Sequence, residues 1–520
     1  MPSPSSLQWL SLVAIIWLQS INGTNSDFPA YSSEIKRLLS ISQVQLNNLA
    51  FASDAGKLLG WVSGIAAAHL PLWLVLLIGA VLGLIGYGVQ YLFLVKTITS
   101  LPYWQTFLLC VLAGNSICWI NTVSYVATIQ NFPSDSQIAV GLSTSYFGLS
   151  AKIYTSMVDL IFHGPSIKKA EGYLLLNAVV PVAASVVTAP LVREIKNEKG
   201  TKLRGGFVAM FFITIATGVY ALISTVGPLS RRLSSVAHAV GLGVLLVVPV
   251  VIPAMAMIRD GFEARWASKR ERRVYSFSMD EISGDVLEID VKGGDGVGED
   301  GVMGVGEEIG VKKMVRRVEF WLYFFVYMFG ATLGLVFLNN LGQIAESRGL
   351  SKTSSLVSLS SSFGFFGRLI PSLLDYLVSK NRYMVSRTAS IATYMAPMAG
   401  AFFLLLSTTN LSLYISTAII GVCTGAITSV AVSTTSELFG AKNFSINHNI
   451  IVANIPIGSL LFGYSAALLY QKEGNAGNGK CMGFECYKTT FLVWGFISSL
   501  GTLLSFILYI RTRKFYLQRS

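Results

Sequence analysis

The sequence carries little charge for its length. Only 13% of its 520 residues are Asp, Glu, Lys or Arg, whereas 52% are hydrophobic and the mean hydropathy is +0.59. Soluble globular proteins carry roughly 25% charged residues, so the composition excludes an ordinary soluble domain and predicts a protein that crosses a membrane many times. The net charge of +12 does not indicate a nucleic-acid partner, because Lys and Arg fall mainly between apolar segments, where they orient membrane proteins.

Cysteine, histidine and catalytic motifs are also scarce. Five Cys and four His residues are too few and too scattered for a disulfide framework or a zinc module. The glycine pattern GVGEDG at 296–301 lacks the preceding strand and following helix that a dinucleotide site needs. Because no nucleophile elbow, metal-ligand cluster or ATP-binding segment is found in a credible context, we expect neither an enzyme nor a bound metal or cofactor.

Long apolar segments account for most of the chain. A helix needs about 20 apolar residues to span the hydrocarbon core of a bilayer. The first apolar segment has no basic stretch before it, since the first Lys or Arg is Lys36, so we interpret it as a retained helix rather than a signal peptide. Fourteen segments fit a spanning helix, near residues 7–28, 43–68, 71–95, 104–129, 136–163, 170–191, 206–226, 235–258, 319–341, 353–378, 384–406, 411–435, 446–470 and 488–510.

One polar insert, at 259–318, separates eight of these segments from the last six. It is basic at both ends and rich in Gly, Asp and Glu in the middle, so we expect a flexible cytosolic loop. Its basic ends either contact anionic lipid headgroups or act as simple topology anchors. Loops on the side of the two termini hold about twice as many Lys and Arg residues as loops on the other side, which predicts that both termini are cytosolic.

Several stretches, taken in their order and spacing, carry a family resemblance. In the first half they are WLSLVAIIWLQSINGTNSDFPAYSSEIK (9–36), QVQLNNLAFASDAGKLLG (43–60) and NFPSDSQIAVGLSTSYFGLSAKIYT (131–155). In the second half they are FFGRLIPSLLD (365–375), SELFGAKNFSINHN (436–449), PIGSLLFG (456–463) and CMGFECYKTTFLVWG (481–495). Together they resemble the plant nodulin-like, or nuclear-fusion-defective, branch of the major facilitator superfamily.

This resemblance implies an all-α polytopic membrane protein with the major facilitator fold, in which two six-helix half-bundles flank two extra central helices. It also implies a secondary transporter that works as a monomer, in a branch that resembles carriers of small organic anions. The expected domains are an N-terminal nodulin-like bundle at 1–191, two additional helices at 192–258, the charged loop at 259–318 and a C-terminal bundle at 319–520.

The stretch SDAGKLLGW at 53–61 places an acid and a base inside the second apolar segment. Asp54 and Lys57 are three residues apart, so on a helix they lie on one face, about one turn from each other. Each charge is costly to bury alone in a membrane. Either the two residues form a pair that only satisfies its own charges, or Lys57 attracts an anionic substrate while Asp54 pairs with it in the empty site or takes a proton.

Further polar residues in the apolar segments are candidates for binding or coupling. Lys152 is a second base within a predicted helix, and Asp159 lies seven residues on, on the same face. A second cation suits a carboxylate substrate, whereas a contact between Lys152 and Asp159, or a lysine that snorkels to the interface, would be structural. Amides that orient a ligand or cross-link helices are Asn22, Asn25, Asn115, Asn121, Asn339, Asn340 and Asn454.

The second half retains charges that resemble the superfamily's gating signature. By that resemblance, Arg368 and Asp375 are expected to latch the cytosolic ends of the helix bundles. Glu437 lies at the cytosolic end of the twelfth segment, where a gating ion pair is more consistent with its position than proton transfer.

Two cysteines share the last outer loop. Cys481 and Cys486 are spaced for a disulfide on an oxidising face of the membrane. A metal site would need two more ligands, which the loop does not offer.

Two functions remain open at this point. The first is a secondary carrier for a small anion such as a monocarboxylate, with proton coupling left open, which works by alternating access. The second is a receptor or scaffold on a carrier fold, which acts through the 259–318 loop. The N-terminus shows no transit-peptide pattern for an organelle; the plasma membrane and an endomembrane both remain open, and we expect the plasma membrane.

Overall fold

The computed structural model describes residues 4–162, 164–195, 204–226, 234–274, 308–350, 353–379, 386–474 and 481–519. Every regular element within these ranges is helical, as the composition predicted. Apolar segments adopt helices in a bilayer because a helix satisfies its own backbone N–H and C=O groups without water.

The first half of the chain forms a bundle of helices with short connections. Its helices are α1 (Pro4–Ile21), α2 (Phe28–Leu39), α3 (Gln43–Ala55), α4 (Gly60–His69), α5 (Leu72–Leu94), α6 (Tyr103–Asn131), α7 (Ser136–Phe147), α8 (Ser150–Ile161) and α9 (Ser166–Thr188). We call this set the N-terminal half.

The remaining helices form the middle of the chain and a second bundle. The middle helices are α10 (Arg204–Val226), α11 (Ser235–Val247) and α12 (Val251–Val274). The second bundle, called the C-terminal half, follows the short helix α13 (Val311–Met314). It contains α14 (Val318–Tyr327), α15 (Leu333–Ser347), α16 (Thr353–Ser379), α17 (Arg387–Leu404), α18 (Asn410–Phe439), α19 (Phe444–Val452), α20 (Asn454–Gly458), α21 (Tyr464–Glu473) and α22 (Glu485–Arg519).

Nine helical stretches of the described residues are long and apolar enough to cross a membrane. The other predicted segments are also covered by helices, but these helices are shorter, interrupted or less apolar, so the count of fourteen spans stays a prediction. The nine are Leu72–Leu94, Tyr103–Asn131, Ser166–Thr188, Gly205–Ser224, Ser235–Phe262, Val318–Ser347, Asn410–Phe439, Phe444–Glu473 and Glu485–Leu517.

Several helices are interrupted by tighter or wider turns. A 3-10 turn at Gly56–Leu59 joins α3 to α4, and another at Thr24–Asp27 precedes α2. In the C-terminal half, π-helical turns at Met328–Thr332 and Ser459–Gly463 interrupt two long helices. Such local changes in winding are frequent at functional sites, and three of these four turns contribute residues to the region described below.

The two ends of the bundle are identified by side-chain contacts. At one end, the amide of Gln8 near the start of α1 donates to the carbonyl oxygen of Asn131 at the end of α6 (2.9 Å), and Arg511 pairs with Glu319 (2.8 Å). We call this the terminal end, because the described residues nearest both termini lie there. The opposite end contains the turn at Thr24–Asp27.

The additional middle helices contact both halves. The indole nitrogen of Trp17 in α1 donates to the carbonyl oxygen of Leu246 in α11 (2.8 Å). In α10, a Cβ added to Gly218 would meet the ring of Phe365 in α16 at 2.3 Å. These helices therefore pack along one side of the junction between the halves.

Part of the predicted flexible loop at 259–318 is structured. Helix α12 continues past Arg259 to Val274, so the first part of the predicted loop is helical, which corrects that boundary. After residues 275–307, which lie outside the described residues, Ile309 is fully buried and its N–H donates to the carbonyl oxygen of Phe439 (3.1 Å). The end of the loop is therefore docked on the C-terminal half.

Candidate functional site

A central cavity of about 200 Å³ lies between the two halves. The N-terminal half contributes residues from α2, α6, α7 and nearby turns, and the C-terminal half contributes residues from α14, α15, α16, α18, α19 and α20. Two basic side chains are part of its wall, Lys57 from the first half and Arg368 from the second. Its polar and aromatic lining also includes Asn25, Ser26, Asn121, Thr122, Tyr125, Phe147, Tyr327, Asn339, Thr424, His448 and Asn449.

Lys57 is held by the carboxylate that the sequence placed three residues before it. Its Nζ lies 2.6 Å from Oδ1 of Asp54, and both residues are buried. The 3-10 turn at Gly56–Leu59 carries Lys57 and is fixed by Asn115, whose amide donates to the carbonyl oxygen of Gly56 (3.0 Å). A buried ammonium group next to a carboxylate avoids most of the penalty of an isolated charge.

The same carboxylate connects the two halves. Ser459 Oγ, in the π-helical turn of the C-terminal half, donates to the second oxygen of Asp54 at 2.7 Å. Nearer the opposite end, the Gln343 amide donates to Asn47 Oδ1 at 3.2 Å. Asp54 is thus shared between an ammonium group on the cavity wall and a hydroxyl across the junction.

Arg368 has no acidic partner in the described part of the chain. It is buried, its guanidinium donates to the carbonyl oxygen of Gly364 one turn earlier (3.4 Å), and its Cζ lies 5.3 Å from the centre of the Phe147 ring. The phenols of Tyr125 and Tyr327 lie close enough to interact with it electrostatically. A buried guanidinium without a carboxylate retains unused donors that an anion can satisfy.

Arg368 lies apart from Asp375, the residue with which its predicted gating role groups it; that role stays a prediction. Asp375 lies seven residues further along α16, about 10 Å nearer the terminal end at 1.5 Å per residue. Asp375 instead binds Arg387 (2.7 Å), whose Nε also donates to Glu437 (3.1 Å). Asp375 and Glu437 therefore meet at the terminal end through a cation from α17, within one half of the protein.

The Arg387 cluster faces a second, larger space. A vestibule of about 880 Å³ at the terminal end is lined by Asp375, Arg387 and Glu437 together with His69 and Gln137 of the N-terminal half. Nearby, Ser433 donates to the side-chain oxygen of Gln137, and further contacts between the halves join Ser372 to the Gln137 carbonyl (2.9 Å) and Ser445 to the Gly64 carbonyl (2.9 Å). Polar contacts therefore connect the halves on both sides of the central cavity.

Lys152 and Asp159 do not belong to the central cavity. The Asp159 carboxylate binds Lys169 (2.7 Å) in a partly exposed ion pair rather than Lys152. Lys152 is half-buried on α8, close enough to His238 of α11 to interact electrostatically, and it is absent from the cavity lining. The predicted substrate role of these two residues is therefore not supported by their positions, because α8 turns that face toward the middle helices.

The predicted amides divide into packing and lining residues. Asn22 donates to the Ile117 carbonyl (3.2 Å) and to Asn121 Oδ1 (2.9 Å), and Asn115 accepts from the indole of Trp119 (2.9 Å). These contacts hold helices together. Asn25 lines the cavity, and its buried Oδ1 has no hydrogen-bond partner.

The sequence did not indicate that His448, Asn449 and Tyr125 also line the cavity. His448 stacks on Phe444 and contacts the edge of Tyr125 across the junction. Next to it, the Asn449 amide donates to Thr122 Oγ1 at 2.9 Å. A histidine next to an asparagine in an apolar segment was the only sequence feature that could have indicated them. Their contacts with the N-terminal half depend on how the two halves dock, which the sequence does not show.

The remaining cysteine and metal predictions concern the periphery. Cys481 and Cys486 are joined in a disulfide, with 5.8 Å between their Cα atoms. Among the residues that the structure describes, no group of three His, Cys, Asp or Glu side chains is arranged to hold a metal ion. His163 lies outside the described residues.

Comparisons with known proteins agree with this architecture. The nodulin-like family model matches residues 8–254, and the model of the NFD4 C-terminal domain matches residues 302–518. The protein NUCLEAR FUSION DEFECTIVE 4 of Arabidopsis thaliana is 40% identical over 533 residues, which covers 98% of this chain and 89% of the relative.

Solved structures show the same fold at low sequence identity. The proton:xylose symporter XylE, a major facilitator superfamily protein, aligns with a TM-score of 0.56 and 10% identity over 96% of this chain and 95% of its own. A proton-dependent oligopeptide transporter aligns with a TM-score of 0.54 and 11% identity over 98% of this chain and 100% of its own. The chain thus has the major facilitator fold of membrane transporters, and it belongs to the nodulin-like, nuclear-fusion-defective family.

Proposed function

We propose that this secondary transporter carries a small organic anion, such as a monocarboxylate, by alternating access of the central cavity. The observation that supports this proposal is the pair of basic side chains, Lys57 and Arg368, that opposite halves contribute to one buried cavity. Transporter substrates bind near the membrane midplane at the junction of the repeats, so an anion held between these cations contacts both moving parts.

Arg368 is the primary anion-binding residue in this proposal. Burying a charge without a counter-ion is unfavourable, and Arg368 forms no ion pair with any described carboxylate. The planar guanidinium fork matches the two oxygens of a carboxylate. Substrate binding therefore supplies the missing negative charge.

The rest of the lining favours an organic anion over a bare inorganic one. The rings of Phe147, Tyr125 and Tyr327 offer apolar surface beside the guanidinium, while Asn25 and Asn339 offer amide groups. A carboxylate with a short carbon chain uses both kinds of surface. The limited cavity volume of about 200 Å³ favours a small substrate.

Lys57 links substrate binding to the closing contacts. In the empty site its ammonium group is occupied by Asp54, which also accepts the cross-junction hydrogen bond from Ser459. An arriving anion competes with Asp54 for Lys57, and the charge of Asp54 must then be redistributed or neutralised by a proton. Binding thereby alters a contact between the halves, as alternating access requires.

Two independent features support the proposed membrane orientation. A disulfide persists on the oxidising side of a membrane, and Cys481, which precedes α22, is bonded to Cys486 in the first turn of that helix. Basic residues such as Lys312, Lys313 and Arg511 flank helices at the terminal end, which is typical of the cytosolic side. We propose that both termini lie in the cytosol, and that the carrier works as a monomer in the plasma membrane.

Uptake into proteoliposomes tests the function. Labelled lactate, succinate, glutamate and phosphate are supplied at equal pH and with an inward proton gradient. The proposal predicts saturable uptake of at least one carboxylate, and loss of that uptake in Arg368→Gln and Lys57→Gln at matched amounts of folded protein. Lys168→Gln is the matched control, because Lys168 is an exposed lysine that pairs with Glu171 (3.0 Å) away from the cavity.

A further variant tests Lys152, the base that the sequence predicted to bind substrate but that lies outside the cavity. Lys152→Gln is expected to transport like the parent, since Lys152 does not line the cavity. The proposal is contradicted if uptake survives in Arg368→Gln, or if the parent takes up none of the carboxylates. In that case the receptor or scaffold function would be tested by deleting the 275–307 segment of the loop.

A further inference from the structure

Asp27 is a buried acid to which the proposed substrate site assigns no role. It ends the 3-10 turn Thr24–Asp27 between α1 and α2, and only 3% of its surface is exposed. Its Oδ2 has no hydrogen-bond partner, and it forms no ion pair with any Lys, Arg or His of the described residues. Asp54, by contrast, has both an ammonium group and a hydroxyl as partners.

The surroundings of Asp27 contain weak acids and amides rather than bases. The phenols of Tyr31, Tyr87, Tyr154 and Tyr173, from four different helices, lie close enough to interact with it electrostatically. The thiol of Cys110 on α6 belongs to the same cluster. All of these groups are neutral when protonated, so none of them compensates a negative charge on Asp27.

The described charged residues on the neighbouring helices do not form an ion pair with Asp27. Helix α8 packs against the turn, but its Asp159 binds Lys169 and its Lys152 lies on the half-buried side toward α11. On α9, Asn177 donates to the Thr24 carbonyl (3.4 Å), and its own buried Oδ1 lacks a partner. The neighbourhood of the turn therefore contains unsatisfied acceptors and lacks a cation.

From this arrangement we infer that Asp27 is a proton-binding site, which holds a proton in the conformation described here and releases it when the turn reaches water. A buried carboxyl group without a counter-ion is far cheaper to keep neutral than charged. The reaction is a plain proton transfer: water-borne H⁺ binds a carboxylate oxygen of Asp27, an O–H bond forms, and no electron or other group moves.

The turn places this proton site next to the anion site. Asn25 and Ser26 of the same turn line the central cavity. Asp27 lies on the other side of the turn, among the tyrosines. The Tyr87 hydroxyl donates to Thr24 Oγ1 (2.9 Å) and the Gly23 N–H donates to Ser150 Oγ (3.0 Å), so the turn is tied to α5 and α8. A change in these contacts alters both the cavity wall and the burial of Asp27. This coupling rests on the proposed anion transport, whereas proton binding itself does not.

Infrared spectroscopy of the reconstituted full chain tests proton binding directly. At neutral pH the parent is expected to show the C=O band of a buried protonated carboxyl group, which shifts in D2O. Asp27→Asn is expected to lack this band, while Asp159→Asn, which removes an ion-paired and partly exposed carboxylate, retains it. An unchanged band in Asp27→Asn overturns the assignment, provided that its thermal unfolding shows a folded protein; Asp27→Ser serves as a second variant if it does not.

Lactate transport tests the coupling. Asp27→Asn is expected to lose the increase in lactate uptake that an inward proton gradient produces in the parent, while exchange of internal for external lactate at equal pH is reduced far less. A gradient effect as large as in the parent overturns the coupling role. If the parent moves no lactate, the proposed function fails for this probe, and the infrared result alone decides whether Asp27 binds a proton.

Discussion

Removing one member of the buried Asp54–Lys57 pair is expected to destabilise the protein more than removing both. The two charges are 2.6 Å apart and buried, and breaking such a pair from one side costs about 3–5 kcal/mol, because the remaining charge stays uncompensated. We expect this penalty for Lys57→Met, which leaves the Asp54 carboxylate with only the Ser459 hydroxyl. Asp54→Asn is expected to cost less, because the Lys57 ammonium reaches the cavity.

The double variant Asp54→Asn/Lys57→Met provides the decisive comparison. Replacing a buried ion pair with neutral groups of similar volume is often neutral, so its stability is expected to lie closer to the parent than to Lys57→Met. With an unfolding entropy of about 2.1 cal/mol/K per residue, a loss of 3–5 kcal/mol lowers the Tm of a chain this long by roughly 3–5 °C.

The assay is thermal unfolding of the purified proteins in one detergent, followed by tryptophan fluorescence at pH 7. The two single variants and the double variant form a double-mutant cycle, which isolates the energy of the pair. If the Tm decreases of the single variants simply add in the double variant, Asp54 and Lys57 do not depend on each other, and the description of the site is wrong.

Three further predictions concern other parts of the fold. Arg387→Met is expected to destabilise the protein by about 3 kcal/mol, because it leaves the partly buried Asp375 and Glu437 carboxylates without their shared cation. Arg387→Met/Glu437→Gln should recover part of the lost Tm. Gly114→Ala is expected to reduce the yield of folded protein, because a Cβ there would overlap the Ser53 carbonyl oxygen. Gly400→Ala, which has open space at its Cβ, is the control and should fold normally. Equal yields of the two variants in size-exclusion chromatography would refute this expectation. Cys481→Ser is expected to cost about 2 kcal/mol, because the disulfide closes only a short loop, and alkylation should label Cys486 in this variant but neither cysteine in the unreduced parent.

Features that depend on local spacing were accessible from the sequence. Asp54 and Lys57 meet because a separation of three residues on one helical turn brings their side chains together whatever the tertiary structure. The all-α architecture followed from long apolar segments, which require helices in a bilayer. The family followed from the order and spacing of its sequence stretches.

Features that depend on how helices dock were not accessible. Lys152 and Arg368 are both single bases in apolar segments, but only Arg368 lines the cavity, because α8 turns Lys152 toward the middle helices. The depth of Arg368 along α16 separates it from the Asp375 cluster, although the sequence grouped them. Asp27 was overlooked because its lack of a partner is a property of the surrounding helices, and its only local signal was the polar stretch INGTNSD at the end of the first segment.

Anion binding to the purified protein tests the central claim most directly. The Tm of the parent and of Arg368→Gln would be measured against increasing concentrations of lactate, succinate, glutamate and phosphate, because a ligand that binds only the folded state stabilises it in proportion to RT ln(1 + [L]/Kd). We expect at least one carboxylate to raise the Tm of the parent, by an amount that grows with the logarithm of its concentration above Kd, and none to raise the Tm of Arg368→Gln. An equal increase in both proteins, or no increase with any carboxylate, would contradict an anion site built on Arg368.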